Sequence, residues 1–198
     1  LARVWPLSAA HRRSLPDDIA RLSRLLTTER AALDRPYWST PAFVSAYMYY
    51  FLPWNLVRLT RLLASLPLTD PRSVAPQGGE ALLVDVGSGG GLPGVVLAIC
   101  RPELQVDSVE TVQKKATFQN QARIELKLAN FRAHHARIEN WQPAYFAEQP
   151  VDGIVSRAFA DLADFVNLTA HLAGPETRIL AMKGVYPADE IARIPAGF

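Results

Sequence analysis

A glycine-rich segment near the middle of the chain stands between two carboxylates, and this arrangement suits a ligand that contains a nucleoside. The segment Gly87–Gly94 holds five glycines and follows an apolar run that carries Asp85. Glycines permit sharp turns and let the backbone approach a ligand that any Cβ would block. A second strand is predicted from Leu104 to Val109 and ends in Glu110, whose carboxylate can accept hydrogen bonds from both hydroxyls of a ribose.

The elements on either side of the glycines are those that would position such a ligand. The run Ala81–Val86 is typical of a buried strand, and Leu92–Cys100 is typical of a helix with Pro93 in its first turn. The free N–H groups and the dipole of a helix start attract an anionic group. Glycine loops serve several cofactors, but a dinucleotide site usually keeps an apolar residue where this chain has Asp85. A glycine-rich turn without any ligand is the alternative.

Strand and helix signals alternate through the rest of the second half. A helix is predicted over 111–128, and further strands are predicted at 131–134, 151–156 and 178–182. This alternation is typical of an α/β fold with a doubly wound parallel sheet. We therefore expect residues 76–198 to form one ligand-binding domain with five strands.

In the first part of the chain, residues 1–75, helical periodicity extends from about Ser14 to Leu66. A first helix is predicted from Ser14, and a second opens at Thr40 and should be kinked or broken by Pro53, after which a third follows. The aromatic residues between Tyr47 and Trp54 could stack on bases, but at helical spacing packing into the core is the favoured interpretation. We expect a helical region joined to the second domain by a linker rich in proline and glycine.

The net charge of +2 conceals an asymmetry between the two parts. Residues 1–75 contain ten arginines and five acidic residues, whereas residues 76–198 contain eleven Lys or Arg and fourteen acidic residues. A basic region beside an acidic one indicates where a polyanion could dock. For any one of these arginines, a solvated position on an amphipathic helix is an equally good interpretation.

Several classes of site are not expected. Cys100 is the single cysteine, so the chain cannot form an internal disulfide or a cysteine-based metal site, which fits a reducing cytoplasm. The adjacent His134 and His135 lack the spacing of metal ligands. The most apolar stretch, Phe43–Val57, is short and interrupted by Pro53, which predicts a buried helix rather than a membrane span. We expect a cytoplasmic monomer without a metal or a membrane partner.

The second domain resembles a known family from about residue 82 to 194. The matching stretches are Asp85–Gly94, Arg101–Glu103, Lys114-Lys115, Glu125–Asn130, Ser156–Phe159 and Met182–Gly184. Together they resemble the RsmG (GidB) family, the small-subunit ribosomal RNA methyltransferases G. These are class I methyltransferases that depend on S-adenosylmethionine. The N-terminal part keeps only a partial match to the family's pattern, in Trp54-Asn55 and Leu59-Thr60.

The resemblance implies methylation of guanine N7 in the 16S rRNA of the small ribosomal subunit, with S-adenosylmethionine as the donor. The implied cofactor-binding residues are Asp85, Gly87, Gly89, Gly91, Leu92, Glu110, Ile138, Glu139 and Arg157. Class I methyltransferases usually have seven strands, whereas five are predicted here. We therefore expect that the last strands are missing, so that the chain is a fragment or its fifth strand is an unprotected edge.

Two cations are the candidate catalytic residues. Arg157 and Lys183 follow adjacent strands at the end where open α/β sheets bind ligands. We predict that Arg157 contacts S-adenosylmethionine or the acceptor edge of the guanine, and that Lys183 holds a phosphate or the base. The alternative is a pair of solvated loop cations.

Three functions remain open at the level of sequence. Guanine N7 carries a lone pair and no proton, so its methylation needs no general base, and alignment with exclusion of water can supply most of the catalysis. A non-catalytic ribosome-associated protein that keeps the fold is an alternative, because the N-terminal part diverges. The third interpretation, an NAD-dependent oxidoreductase, is disfavoured by Asp85, because a dinucleotide site usually has an apolar residue at that position.

Overall fold

A computed structural model describes residues 6–32, 39–65, 81–144, 150–157 and 159–197 of this chain. The chain divides into two compact units, Leu1–Thr69 and Asp70–Phe198. The linker predicted over 67–80 lies outside the described residues. Each unit is described separately below.

In the first unit, helix α1 spans Ala9–Leu26 and begins earlier than predicted. The expected start at Ser14 is wrong because Ser8 caps the helix, its hydroxyl oxygen accepting a hydrogen bond from the His11 N–H at 3.1 Å. Ser14 instead lies within the helix and donates its hydroxyl to Asp18 at 2.7 Å. Pro16 is tolerated inside this helix, where it removes one backbone hydrogen bond.

Pro53 does not break the second helical segment. Helix α2 spans Pro41–Ala46, a π-helix follows over Tyr47–Phe51, and helix α3 spans Leu52–Ser65. The wider turn closes where the Leu52 N–H donates to the Tyr47 carbonyl, five residues back. The irregularity therefore precedes the proline and lets the chain remain helical through it.

The prediction that the aromatic residues of this segment belong to the core is wrong for two of them. Tyr50 and Trp54 are 46% and 47% exposed. The buried side of α3 is marked instead by Leu59, which is 4% exposed. The helical spacing of the apolar residues predicted the helix correctly, but it did not indicate on which side of the helix the aromatic rings would lie.

The second unit is built on a parallel sheet of five strands in the order β3-β2-β1-β4-β5. The strands are β1 Ala81–Val86, β2 Leu104–Glu110, β3 Phe131–His135, β4 Gly153–Arg157 and β5 Arg178–Met182. The helices of this unit are α4 Gly94–Cys100, α5 Gln113–Glu125, α6 Leu162–Thr169 and α7 Ala188–Ile191, with 3₁₀ turns at Ile138–Asn140 and Ala170–Leu172. The predicted doubly wound parallel sheet is confirmed. The strand order reverses beside β1, which is where such sheets bind ligands.

The central strand β1 is buried over all six residues and is paired at both edges, with β2 and β4. In a parallel sheet of this kind helices cover both faces. This explains why its sequence is a continuous apolar run without alternation. Asp85 is the one ionisable residue in it. A carboxylate at such a position must have a role, since burying it costs free energy.

Asn130 ties the end of α4 to the start of β2. Its side-chain amide donates to the carbonyl oxygens of Ala98, Arg101 and Leu104 at 3.1, 3.3 and 2.9 Å. Asn130 is itself buried. The last residue of the stretch Glu125–Asn130 therefore has a structural role.

We predict that Asn130→Ala destabilises the protein by about 2–3 kcal/mol, because three backbone carbonyls each lose one hydrogen bond. Urea unfolding at neutral pH measures the change in the free energy of unfolding. Asn167→Ala, on the exposed side of α6, is the matched control and should change it by less than about 0.5 kcal/mol. Equal effects of the two substitutions would contradict this role of Asn130.

Candidate cofactor site

The loop between β1 and α4 needs its glycines. Gly87, Gly89 and Gly91 have φ angles of 65°, 58° and 87°, in the left-handed region that favours glycine. A Cβ added at Gly89 or Gly90 would meet no atom within 4 Å, so this part of the loop borders open space. The loop therefore offers its backbone to a ligand at the carboxyl end of β1.

Glu110, at the end of β2, directs its carboxylate toward this loop. Its Oε2 accepts a hydrogen bond from the Gly89 N–H at 2.8 Å, and its Oε1 accepts one from the Val112 N–H at 2.8 Å. Each carboxylate oxygen keeps a second lone pair that can accept a further hydrogen bond. Glu110 is thus joined to the glycine loop, and its contact with a ribose stays a prediction.

Asp85 is fully buried beneath the loop. Its Oδ2 accepts a hydrogen bond from the Gly94 N–H at 2.8 Å and so caps the start of α4. Its Oδ1 has no hydrogen-bond partner among the described residues. Burial raises the pKa of this carboxyl to about 7, opposed by the Gly94 hydrogen bond and the Arg157 charge. The unpartnered oxygen can accept a hydrogen bond from an ammonium group or a water molecule.

The requirement for glycine at position 94 follows from Asp85. A Cβ at Gly94 would lie 2.7 Å from Oδ2 of Asp85, closer than such contacts allow. The glycine of the Leu-Pro-Gly sequence is therefore a packing requirement of the buried carboxylate. The sequence contained both residues but did not indicate that they touch.

A buried polar cluster behind the loop was missed by the sequence analysis. Ser108 Oγ lies 2.5 Å from both Ser88 Oγ and Gln119 Oε1. The Gln119 amide donates to Ser88 Oγ and to the Gly89 carbonyl, each at 2.8 Å. The Gly89 peptide is thus held on both sides, by Glu110 at its N–H and by Gln119 at its carbonyl. The available signal was the serine at position 108 within the predicted second strand.

Arg157 and Phe159, after β4, reach the same loop. The Arg157 Nε donates to the Leu92 carbonyl at 3.4 Å. The Phe159 ring packs against Gly87, where an added Cβ would lie 2.4 Å from Cδ2 of the ring. The ring also contacts Phe165 edge-to-face, with centroids 5.9 Å apart. The structure therefore brings Arg157 to Leu92 and Phe159 to Gly87.

The residues predicted after β3 lie in the 3₁₀ turn Ile138–Asn140. Ile138 is buried in the cluster that contains Val86 and Val109, the residues that precede Gly87 and Glu110. It is therefore close to the ends of the two site strands. Glu139 is exposed and pairs with Arg137 at 2.8 Å.

Lys183 is engaged within the protein. Its Nζ donates to the Ala160 carbonyl at 2.8 Å and to Glu190 Oε2 at 2.5 Å. The same Glu190 oxygen accepts a hydrogen bond from the Leu162 N–H at 2.9 Å, at the start of α6. Lys183 and Glu190 thus hold the segment that follows Arg157. The contact of Lys183 with a phosphate or a base stays a prediction.

The described residues offer neither a cluster of metal ligands nor a helix that could span a membrane. No group of three or more His, Cys, Asp or Glu side chains in this part of the chain could hold a metal ion. None of the helices described above combines the length and the apolar character that crossing a membrane would require.

The chain was compared with known proteins. The family model for rRNA small subunit methyltransferase G matches residues 59–197. Proteins called ribosomal RNA small subunit methyltransferase G resemble this chain in Aromatoleum aromaticum, at 50% identity over 81% of this chain and 79% of the relative, and in Azoarcus sp., at 50% over 81% and 77%. The relative in Pseudomonas aeruginosa is 46% identical over 77% of this chain and 73% of its own length.

A solved structure shares the fold. The crystal structure of a mutant of MtNAS in complex with S-adenosylmethionine matches 93% of this chain and 70% of that chain, with a TM-score of 0.51 and 18% identity. At this identity the likeness concerns the fold alone. Together with the family match, it confirms the class I methyltransferase fold predicted from the sequence.

Proposed function

Because the chain belongs to the family of rRNA small subunit methyltransferase G, we propose that it transfers a methyl group from S-adenosylmethionine to N7 of a guanine in 16S rRNA. The observation that carries this proposal is the joining of the glycine loop to the carboxylate of Glu110 through the Gly89 N–H at 2.8 Å. That hydrogen bond places the backbone of the glycine loop next to a carboxylate that can accept the ribose hydroxyls. A methyl donor that contains a nucleoside requires both groups at one place.

The residues of the loop fit S-adenosylmethionine in both charge and shape. Glu110 would accept hydrogen bonds from the two ribose hydroxyls, and the unpartnered Oδ1 of Asp85 suits the donor's ammonium group. Open space beside Gly89 and Gly90 leaves room for the ligand. The remaining predicted contacts, at Gly87, Gly91, Leu92, Ile138, Glu139 and Arg157, belong to the same proposal.

The bound donor would supply an activated methyl group, and the protein would supply alignment. Guanine N7 needs no proton removed, so no side chain has to act as a base. We assign to Arg157 the role of orienting the donor or the acceptor edge of the base, because it stands beside Leu92 in the loop. Lys183 would contact a phosphate or the base. This new contact would replace the present one between its ammonium group and Glu190.

The domain organisation, the partner and the location are part of the proposal. Residues 76–198 would be the methyltransferase domain and residues 1–75 a helical region. The partner would be the small ribosomal subunit through its 16S rRNA. We propose a monomer that acts in the cytoplasm, without a membrane partner.

Transfer of labelled methyl groups tests this function. The protein is incubated with labelled S-adenosylmethionine and small subunits that lack the modification, and the label is mapped to a nucleotide and a ring position. We expect incorporation at N7 of one guanine. RNA binding without incorporation would favour the non-catalytic alternative, and calorimetric binding of NAD but not of S-adenosylmethionine would contradict the proposal.

A further inference from the structure

Helix α3 exposes one face that carries a tryptophan and two arginines. At about 100° per residue, Arg58 and Arg61 lie roughly 40° and 20° to either side of Trp54 around the helix axis. The buried Leu59 lies roughly 140° away from Trp54, on the opposite side. We refer to the exposed face formed by Trp54, Arg58 and Arg61 as the Trp54 face.

The aromatic group of this face is exposed, although burial would stabilise it. Trp54 is 47% exposed, and the guanidinium carbon of Arg58 lies 5.2 Å from the centroid of its ring. Tyr50, 46% exposed, lies one turn earlier. An exposed indole next to a guanidinium offers a stacking surface and hydrogen-bond donors at the same place.

The segment that carries this face has charges of a single sign. Between Asp34 and Asp70 the chain contains three arginines and no acidic residue. Among the described residues, neither Arg58 nor Arg61 forms an ion pair, whereas Arg24 of α1 pairs with Glu29 at 3.5 Å. Such a face is complementary to a polyanion.

We propose that the Trp54 face docks a single-stranded segment of the substrate rRNA. In this arrangement an unpaired base stacks on Trp54, and Arg58 and Arg61 contact the phosphates on either side of it. Exposed aromatic rings with flanking arginines suit unpaired nucleotides, because every base has a face that can stack. This inference rests on the proposed function, since it names the surface by which the same enzyme holds its RNA.

Substitutions that keep the side-chain stems test the arginines. We expect the double variant Arg58→Gln and Arg61→Gln to raise the dissociation constant for protein-free 16S rRNA about tenfold. The double variant should also reduce the magnitude of the slope of log affinity against log salt concentration by about 1.4, since each phosphate contact on a single strand contributes about 0.7. Filter binding over a range of salt concentrations measures both quantities.

The tryptophan is tested separately. Trp54→Ala should weaken RNA binding about fivefold or more, and Trp54→Phe should restore most of the affinity, because phenylalanine retains a stacking face. Arg24→Ala, which removes an exposed arginine from another helix of the same unit, is the matched control and should leave the affinity unchanged. The dissociation constant for S-adenosylmethionine should not change in any of these variants, and circular dichroism should show that each of them is folded.

The outcomes separate this inference from the proposed function. If the wild type transfers methyl groups and the arginine variant binds RNA normally, the docking inference is wrong and the function stands. If the wild type transfers none but the variants still lose RNA affinity, the function is wrong and the docking inference stands. Binding to vesicles of anionic lipid that depends on Arg58 and Arg61, with RNA affinity unchanged, would assign the face to a membrane surface and overturn the inference.

Discussion

Replacing Glu110 by glutamine should weaken the binding of S-adenosylmethionine by about a hundredfold. The carboxylate holds the N–H groups of Gly89 and Val112 and is proposed to accept both ribose hydroxyls. The single amide oxygen of glutamine cannot serve all four donors, and its NH₂ group would oppose some of them. Loss of two charge-assisted hydrogen bonds at about 1.5 kcal/mol each corresponds to a factor of roughly 100. Isothermal titration calorimetry measures the affinity.

The control for this substitution is Glu125→Gln at the end of α5. Glu125 is exposed and accepts a hydrogen bond from Gln121 at 2.7 Å. The Glu125→Gln variant should bind S-adenosylmethionine with the affinity of the wild type. Unchanged affinity of the Glu110 variant, with the fold preserved by circular dichroism, would remove the basis of the proposed ribose contact.

The second large effect concerns the stability of the protein and its dependence on pH. The pKa of Asp85 rises from 3.8 to about 7 because the carboxyl is fully buried. Between these values the folded state binds more protons than the unfolded state, so the free energy of unfolding falls as the pH rises. The stabilisation is fully present below about pH 4 and is lost by about pH 7. A rise of this size corresponds to at most roughly 4 kcal/mol.

Asp85→Asn should remove this part of the pH dependence. The asparagine oxygen can still accept the Gly94 N–H, but the side chain no longer ionises. Urea unfolding at several values between pH 4 and pH 8 should therefore give a flatter profile than that of the wild type. Asp164→Asn, at an exposed position of α6, should keep the wild-type profile. A wild-type slope in the Asp85 variant would mean that another group titrates.

In the first unit, the structure differs from the sequence-based prediction at two points. Helical periodicity predicted helices there, yet it placed the start of α1 at Ser14 instead of Ala9 and read Trp54 as part of the core. Both errors have a physical reason. A cap depends on which hydroxyl finds a free N–H, and the side of a helix that becomes buried depends on the surface it packs against.

In the second unit the sequence by itself determined the strand–loop–helix around Gly87, the sheet class and the position of Glu110 at a strand end. These follow from periodicity and glycine, which act over a few residues. Only the tertiary structure decided which groups meet: Asp85 with Gly94, Gly89 with Glu110 and Gln119, and Lys183 with Glu190. The strand order, which places β1 beside β2, brings Gly89 to Glu110 and Gln119 from distant parts of the chain. A pattern read along the sequence does not contain that order.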